Sequence, residues 1–282
     1  MATIIDGKSL AAKCKEDVKT VVAEMEEKPG LAVILVGENP ASQVYVRNKR
    51  KDCEECGIFS EEFVLPADCG QENLLELIQE LNQRRDIDGI LCQLPLPEGY
   101  GYDEEEILLA IDPGKDVDAF HPYNVGHIMI GDPSYLPCTP AGVIRMLDEY
   151  RIEVAGKRCV VVGRSNIVGK PMAMLLLHRN GTVTICHSHT PDLADVTRQA
   201  DILVSAVGRR NVITADMIKP GAVVIDVAMN RNEEGKLCGD ADFPAVSEVA
   251  SYITPVPGGC GPMTRAILME NTLRAAMAHG KG

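Results

Sequence analysis

Leu10, Cys14, Val18, Val21 and Val22 recur at helical spacing across residues 6–27 and predict an amphipathic helix. Pro29-Gly30 breaks it, and residues 31–36 follow as an unbroken apolar run, the pattern of a parallel strand buried on both faces. The alternation continues with a helix over 41–56 ended by Gly57, a strand over 61–65, a helix over 72–84 and a strand over 88–93. That last strand runs into Leu94-Pro95-Leu96-Pro97, where two prolines forbid further ladder bonds. Repeated β-α-β alternation implies a mainly parallel sheet covered by helices.

Residues 112–140 are rich in Pro, Gly, His and Tyr without periodicity and read as a site-forming loop, followed by a helix over 139–150. A second unit begins at Lys157: a strand over 158–162, a helix from Gly169, and strands over 183–186, 202–206 and 222–227. Four short apolar strands separated by helices or turns predict a Rossmann-like, doubly wound parallel sheet. Thr254-Pro255-Val256-Pro257-Gly258-Gly259 is a loop, and a last helix over 262–278 is expected to pack back on the first unit. The expected fold is therefore α/β with two domains. Residues 1–138, completed by 262–282, form a catalytic domain, and 139–261 form a dinucleotide-binding domain.

Composition narrows the function. Lys plus Arg number 28 against 41 Asp plus Glu, a net charge of −13, which leaves no basic face for nucleic acid. Only 4% of residues are aromatic, so base-stacking platforms are not expected either. No apolar stretch approaches the roughly 18 residues that span a bilayer, and the start of the chain lacks a signal-peptide core. A cytoplasmic protein is expected. The ten cysteines are scattered, and Cys53 and Cys56 have no second pair to complete a zinc site, so no metal is expected. They read as free thiols in a reducing compartment.

Candidate chemistry sits at strand ends. Val160-Val161-Val162-Gly163-Arg164-Ser165-Asn166-Ile167-Val168-Gly169 is a strand, a glycine turn and a helix start, the arrangement that presents free N–H groups to a phosphate. Ser165 stands where the dinucleotide motif has its second glycine, so a plain tight turn remains the competing reading. At the end of the next strand, Cys186-His187-Ser188-His189 offers no carboxylate for a ribose hydroxyl, while Arg164 could pair with a 2′-phosphate. That combination favours NADP over NAD. His187 and His189 read equally as polar surface.

In the first unit, Tyr45 and Lys49 lie four apart on one helix face. They form a proton-transfer pair if burial lowers the lysine's proton affinity, and a solvated face otherwise. Gln93 ends a buried strand, where ligand sites form in open α/β sheets. Asp118, in Lys115-Asp116-Val117-Asp118, could accept paired hydrogen bonds from an aminopyrimidine such as a pterin; its plain reading is a turn aspartate.

Taken in order, Ala41-Ser42-Gln43-Val44-Tyr45-Val46-Arg47-Asn48-Lys49, Asp88 through Pro97, Lys115 through Asp118, Pro137-Cys138-Thr139-Pro140, Gly163 through Gly169 and Pro255 through Thr264 closely resemble the bifunctional methylenetetrahydrofolate dehydrogenase/methenyltetrahydrofolate cyclohydrolase family. The resemblance covers nearly the whole chain, with no domain left for a formyltetrahydrofolate synthetase. It implies two α/β domains with a cleft between them, a homodimer, and NADP as cofactor. It also implies roles for residues. Lys49 is the central catalytic group, Tyr45 stacks on the folate, Gln93 orients Lys49 and tunes its proton affinity, and Asp118 holds the pterin. Val46, Arg47, Asn48, Cys92, Leu94 and the loop Pro255, Val256, Pro257, Gly258 and Gly259 line the folate site. Gly163, Arg164, Ser165, Ile167, Ser188 and Met229 meet NADP. Gln93 is expected to donate a hydrogen bond to the neutral amine of Lys49.

Three positions depart from the family pattern: Ala119 in place of Gly, Ala228-Met229 in place of Gly-Ile, and Cys260 in place of Val. They bear on rate, affinity and sensitivity to thiol reagents, not on the presence of a catalytic group. A dehydrogenase with weak or absent cyclohydrolase activity and a non-catalytic folate- or nucleotide-binding protein are the alternative readings. Retention of Lys49, Gln93 and Asp118 together counts against the second.

Overall fold

The computed structural model describes residues 1–281. Along the chain run β1 (Thr3–Ile4), α1 (Gly7–Glu24), β2 (Gly30–Val36), α2 (Pro40–Cys56), β3 (Phe59–Leu65), α3 (Gln71–Gln83) and β4 (Gly89–Cys92). Then come α4 (Glu104–Ala110), α5 (Pro122–Ile130), α6 (Cys138–Glu149), β5 (Arg158–Val162), α7 (Gly169–His178), β6 (Thr182–Cys186), α8 (Leu193–Thr197) and β7 (Ile202–Ser205). The last elements are β8 (Val223–Asp226), β9 (Asn230–Arg231), β10 (Leu237–Cys238), α9 (Phe243–Val249), β11 (Tyr252–Ile253) and α10 (Cys260–Ala278).

The chain forms two compact units. One, called the folate unit for the substrate that the family resemblance implies, comprises Ala12–Cys138 and the chain from Arg265 onward. Its parallel sheet has the order β3-β2-β4. All seven residues of β2 are buried, as the unbroken apolar run requires of a central strand. The α1 stripe Cys14, Val18 and Val22 is buried, and Ala32, Ile34, Leu74, Ile78, Leu81 and Ile90 form the core between sheet and α3. Just past the last helix, His279 Nδ1 and Lys281 Nζ reach the fully buried carboxylate of Asp88 at 3.0 and 2.9 Å, and the chain from Arg265 onward clusters with this unit.

The other unit comprises Met1–Ala11 and Thr139–Thr264. Its sheet has six parallel strands in the order β1-β11-β8-β7-β5-β6. Four were expected. The other two, β1 and β11, are two residues each and pair with one another, Thr3 against Tyr252 and Ile4 against Ile253. Because of that pairing the first eleven residues cluster here, a correction to the expected boundary at residue 1.

The expected loop over 112–140 is also corrected, since it contains α5. Pro122 occupies the first turn, His121 Nδ1 accepts the Tyr123 N–H at 3.0 Å, and Gly131 closes the helix at φ 83°. The short α4 is capped by Asp103, which accepts from the N–H groups of Glu105 and Glu106.

Candidate functional site

The folate-unit site starts from the inner face of α2. Asn39 Oδ1 accepts the Ser42 N–H at 3.2 Å and Pro40 begins the helix, which fixes its start. Ser42, Val46, Lys49, Asp52, Cys53 and Cys56 are then buried. Lys49 therefore stands on the core stripe with only 8% of its surface exposed. The solvated-face reading is excluded, while Arg47 is exposed and Tyr45 half-buried.

Burial pushes the proton affinity of Lys49 down, and the Asp118 carboxylate partly opposes this. Cys138 and Cys53 act in the same sense as Asp118, and the Arg265 guanidinium in the sense of burial. Lys49 Nζ donates to Gln93 Oε1 at 3.0 Å, because Gln93 Nε2 is already committed to Leu94 O at 2.7 Å. The expected direction of that bond is thus reversed: Gln93 accepts from the lysine, favouring its protonated form slightly and leaving desolvation as the cause of the downward shift. Gln93 sits where expected, just past β4, its N–H donating to Ile34 O of β2 at 2.9 Å.

Residues 115–118 divide their labour. Lys115 Nζ caps the end of α3, donating to Leu81 O and Arg84 O at 3.1 and 2.6 Å. Asp116 is buried and accepts from His121 N–H and Asn124 Nδ2, anchoring the start of α5. Val117 is core, and its carbonyl is held by Asn271 Nδ2 at 2.8 Å. Of the four, only Asp118 is partly exposed. Ala119 turns the chain at φ 57° and is fully buried, a left-handed position that explains glycine as the family pattern.

Sequence reasoning missed two neighbours. Arg265 Nη1 pairs with Asp52 at 2.7 Å, and Asp52 also takes Lys15 at 2.8 Å. Cys138 is buried, bonded to Val117 O at 3.5 Å, its thiol pushed well above its ordinary range by burial and then by Asp118. The Pro-Cys-Thr-Pro motif contained this cysteine, but nothing in the sequence placed it near Lys49 and Asp118. Cys92 is buried with its thiol pushed up to about 12 by burial, and Leu94 is partly exposed.

The loop Pro255 to Gly259 belongs to the other unit, where Gly258 O accepts the Lys8 N–H at 2.9 Å. Cys260, just beyond, opens α10; it is buried, and burial followed by Asp226 raises its thiol pKa far above the reactive range. It is not a reactive thiol.

In the same unit, Gly163, Arg164, Ser165, Ile167, Ser188 and Met229 all follow the carboxyl ends of strands β5, β6 and β8. Gly163 has φ 134°, and a Cβ there would stand 2.4 Å from Ala206 O, so only glycine closes this turn. Ser165 Oγ accepts from Val168 and Gly169 N–H at 3.2 Å each, which accounts for serine in place of the motif's second glycine: it holds the turn that leads into α7. Arg164, Ile167, Ser188 and Met229 are exposed. The turn, the helix start and the exposed Arg164 cation, which has no carboxylate partner among the described residues, fit a phosphorylated dinucleotide. Among the described residues no group of His, Cys, Asp and Glu could hold a metal ion.

Comparison with known proteins also divides the chain in two, though residues 5–11 and 265–280 fall on the other side of that division. A tetrahydrofolate dehydrogenase/cyclohydrolase catalytic-domain model matches residues 5–118, and the NAD(P)-binding-domain model matches 137–280. The chain is 56% identical, over 99% of both sequences, to the bifunctional protein FolD of Acetivibrio thermocellus. Its structure superposes on the bifunctional FolD methylenetetrahydrofolate dehydrogenase/cyclohydrolase of Campylobacter jejuni with a TM-score of 0.96, 50% identity and 99% coverage of each chain. On the Trypanosoma brucei FolD complexed with NADP cofactor and an inhibitor, the TM-score is 0.95 at 39% identity, covering 100% of this chain and 99% of that one.

Proposed function

The chain belongs to the tetrahydrofolate dehydrogenase/cyclohydrolase family, and from that premise we propose how its residues share the two reactions. It is a bifunctional enzyme that oxidises 5,10-methylenetetrahydrofolate to the 5,10-methenyl form with NADP, then hydrolyses that cation to 10-formyltetrahydrofolate.

The observation that carries the assignment of roles is the buried Lys49 amine, bonded to Gln93 and within the electrostatic reach of the Asp118 carboxylate. Because Gln93 Oε1 takes one N–H of the neutral amine, its lone pair points elsewhere and is free to receive a proton. In the hydrolysis, a water oxygen bonds to the methenyl carbon and gives one proton to Lys49 Nζ. The bond from that carbon to N5 then breaks, and the remaining hydroxyl proton ends on N5. An ammonium would repel the cationic substrate, so desolvation of Lys49 serves both binding and proton transfer.

Asp118 holds the aminopyrimidine edge of the pterin and Tyr45 supplies its stacking face. Val46, Arg47, Asn48, Cys92, Leu94 and the loop Pro255 to Gly259 complete the folate contacts. NADP, when bound, supplies the acceptor for the hydride leaving the methylene carbon. Gly163, Ser165, Ile167 and Met229 hold it, with Arg164 and Ser188 at the 2′-phosphate. The cytoplasm and the homodimer belong to the same reading, the first supported by ten free cysteines and the second by the family resemblance.

The test is Lys49→Arg, which keeps the charge and cannot deprotonate. Cyclohydrolase activity, read as loss of methenyl absorbance without dinucleotide, is expected to fall at least about a hundred-fold, the scale of general acid–base catalysis. NADPH production should fall less, because hydride transfer depends chiefly on positioning. Parental hydrolysis rates in a folded Lys49→Arg protein would remove Lys49 from the mechanism.

A further inference from the structure

Asp240 is fully buried, and its carboxylate accepts four hydrogen bonds. Ser205 Oγ and the Val207 N–H reach Oδ2 at 2.8 Å each, while the Arg209 N–H and Asn230 Nδ2 reach Oδ1 at 2.8 and 3.0 Å. These donors come from the end of β7, the loop that leaves it, and β9 just beyond β8. The N–H groups of Val207 and Arg209 converge as in a backbone nest that takes an anion, and here the protein supplies the anion itself.

A second carboxylate holds the first. Asp226, at the end of β8, accepts the Asp240 N–H at 3.0 Å and the Ala241 N–H at 2.8 Å. A Cβ on Gly239 would stand 2.0 Å from Asp226 Oδ2, so the bare glycine lets this segment lie against the carboxylate. The loop fixed by Asp240 borders the phosphate turn. Ala206 donates to Val162 O at 2.8 Å, and its carbonyl fills the space beside Gly163.

We infer that Asp240, held by Asp226, is a positioning residue for NADP: it fixes residues 206–209 beside the Gly163 turn, and Asn230 next to Met229, before the cofactor arrives. This rests on the reading that the unit binds NADP. Walls fixed in advance lower the ordering cost of binding.

Asp240→Asn replaces one acceptor with an NH₂ group. Whichever way the amide turns, the side chains of Ser205 or Asn230 can rotate to accept from it. The backbone N–H on that side, Val207 or Arg209, cannot, and it is left unpaired. The NADP⁺ KM of the dehydrogenase is expected to rise about ten- to a hundred-fold, and NADPH affinity by fluorescence titration to fall in step. The folate KM and the dinucleotide-free cyclohydrolase rate should stay within about three-fold.

Asn230→Ala removes one donor and keeps the carboxylate with its backbone partners, so it serves if Asp240→Asn does not fold. Its NADP⁺ KM should rise about three-fold with kcat unchanged. An unchanged NADP⁺ KM in the folded variants would overturn the assignment, as would folate and NADP⁺ parameters falling together with thermal stability. NADP⁺ reduction by the parent protein separates the two levels. If it is absent, the cofactor reading falls and the inference with it; if it is present and the variants match the parent, the role of Asp240 alone falls.

Discussion

The two units use buried charge in opposite ways. In the folate unit one buried ionisable group, Lys49, is the proposed reagent, set among structural ones such as Asp88 and Asp116: it is 8% exposed and desolvation shifts its proton affinity downward. In the dinucleotide unit the buried charges, Asp226 and Asp240, meet backbone N–H groups and a few neighbouring side chains, while Arg164, Ser188 and Met229 are exposed. Asp226 is pushed up to about 6, mainly by burial, yet serves the loops and not a substrate. A shifted proton affinity therefore marks chemistry only when the shifted group faces a ligand. Proton transfer requires a dry base. Holding a dinucleotide requires fixed backbone and a cation that can move to meet it.

That contrast can be broken by exchanging single groups. The largest effect is expected from Asp118→Asn, which faces the pterin with a donor where an acceptor is required. Folate binding should weaken by about 2–5 kcal/mol, measured by titration calorimetry, with NADP⁺ affinity unchanged. Normal folate binding would return Asp118 to the status of a turn residue.

A smaller effect is expected from Arg164→Ala. The preference for NADP⁺ over NAD⁺ in kcat/KM should shrink by about 1.5–3 kcal/mol. Because Arg164 is exposed, the parent's preference should also decline as salt is raised, whereas that of a buried pair would not. Equal kcat/KM for the two dinucleotides in the parent would refute this assignment. The smallest change tests scaffold alone. Ala119→Gly relieves a left-handed alanine at φ 57° but loosens the unfolded chain, for a net gain of about 0.5–1 kcal/mol in urea unfolding. A loss of stability would show that the buried methyl group outweighs the backbone strain.

Much of this was legible in the chain. The continuous run of β2 and the helical stripe of α1 gave their elements directly, because one face or both must leave water. The loop containing α5 hid its helix, although Pro122 near its start and Gly131 at its end are the punctuation of one. The strands β1 and β11 are too short for any periodicity and exist through pairing across 249 residues of chain, from Thr3 to Tyr252.

At the site, Tyr45, Lys49, Gln93 and Asp118 could be nominated from spacing and strand ends. Whether the lysine faced solvent could not, since Ser42, Lys49 and Asp52 make the buried stripe look polar. The two ends of the Gln93 amide were equally beyond reach, being settled by the carbonyl of Leu94. Asp226 and Asp240 passed unnoticed because their partners are mainly backbone, which carries no sequence signature.

Eight of the ten cysteines are buried, and those of both units are free. Burial pushes Cys53, Cys56 and Cys92 in the folate unit up to about 12, and in the dinucleotide unit Cys159 up to about 11. Thiols so protected react with an alkylating reagent only when the surrounding structure opens. The protein thus carries internal clocks for local opening in each unit, read by mass from the rate at which each cysteine is tagged. Cys69 and Cys238, partly exposed, set the zero of that scale.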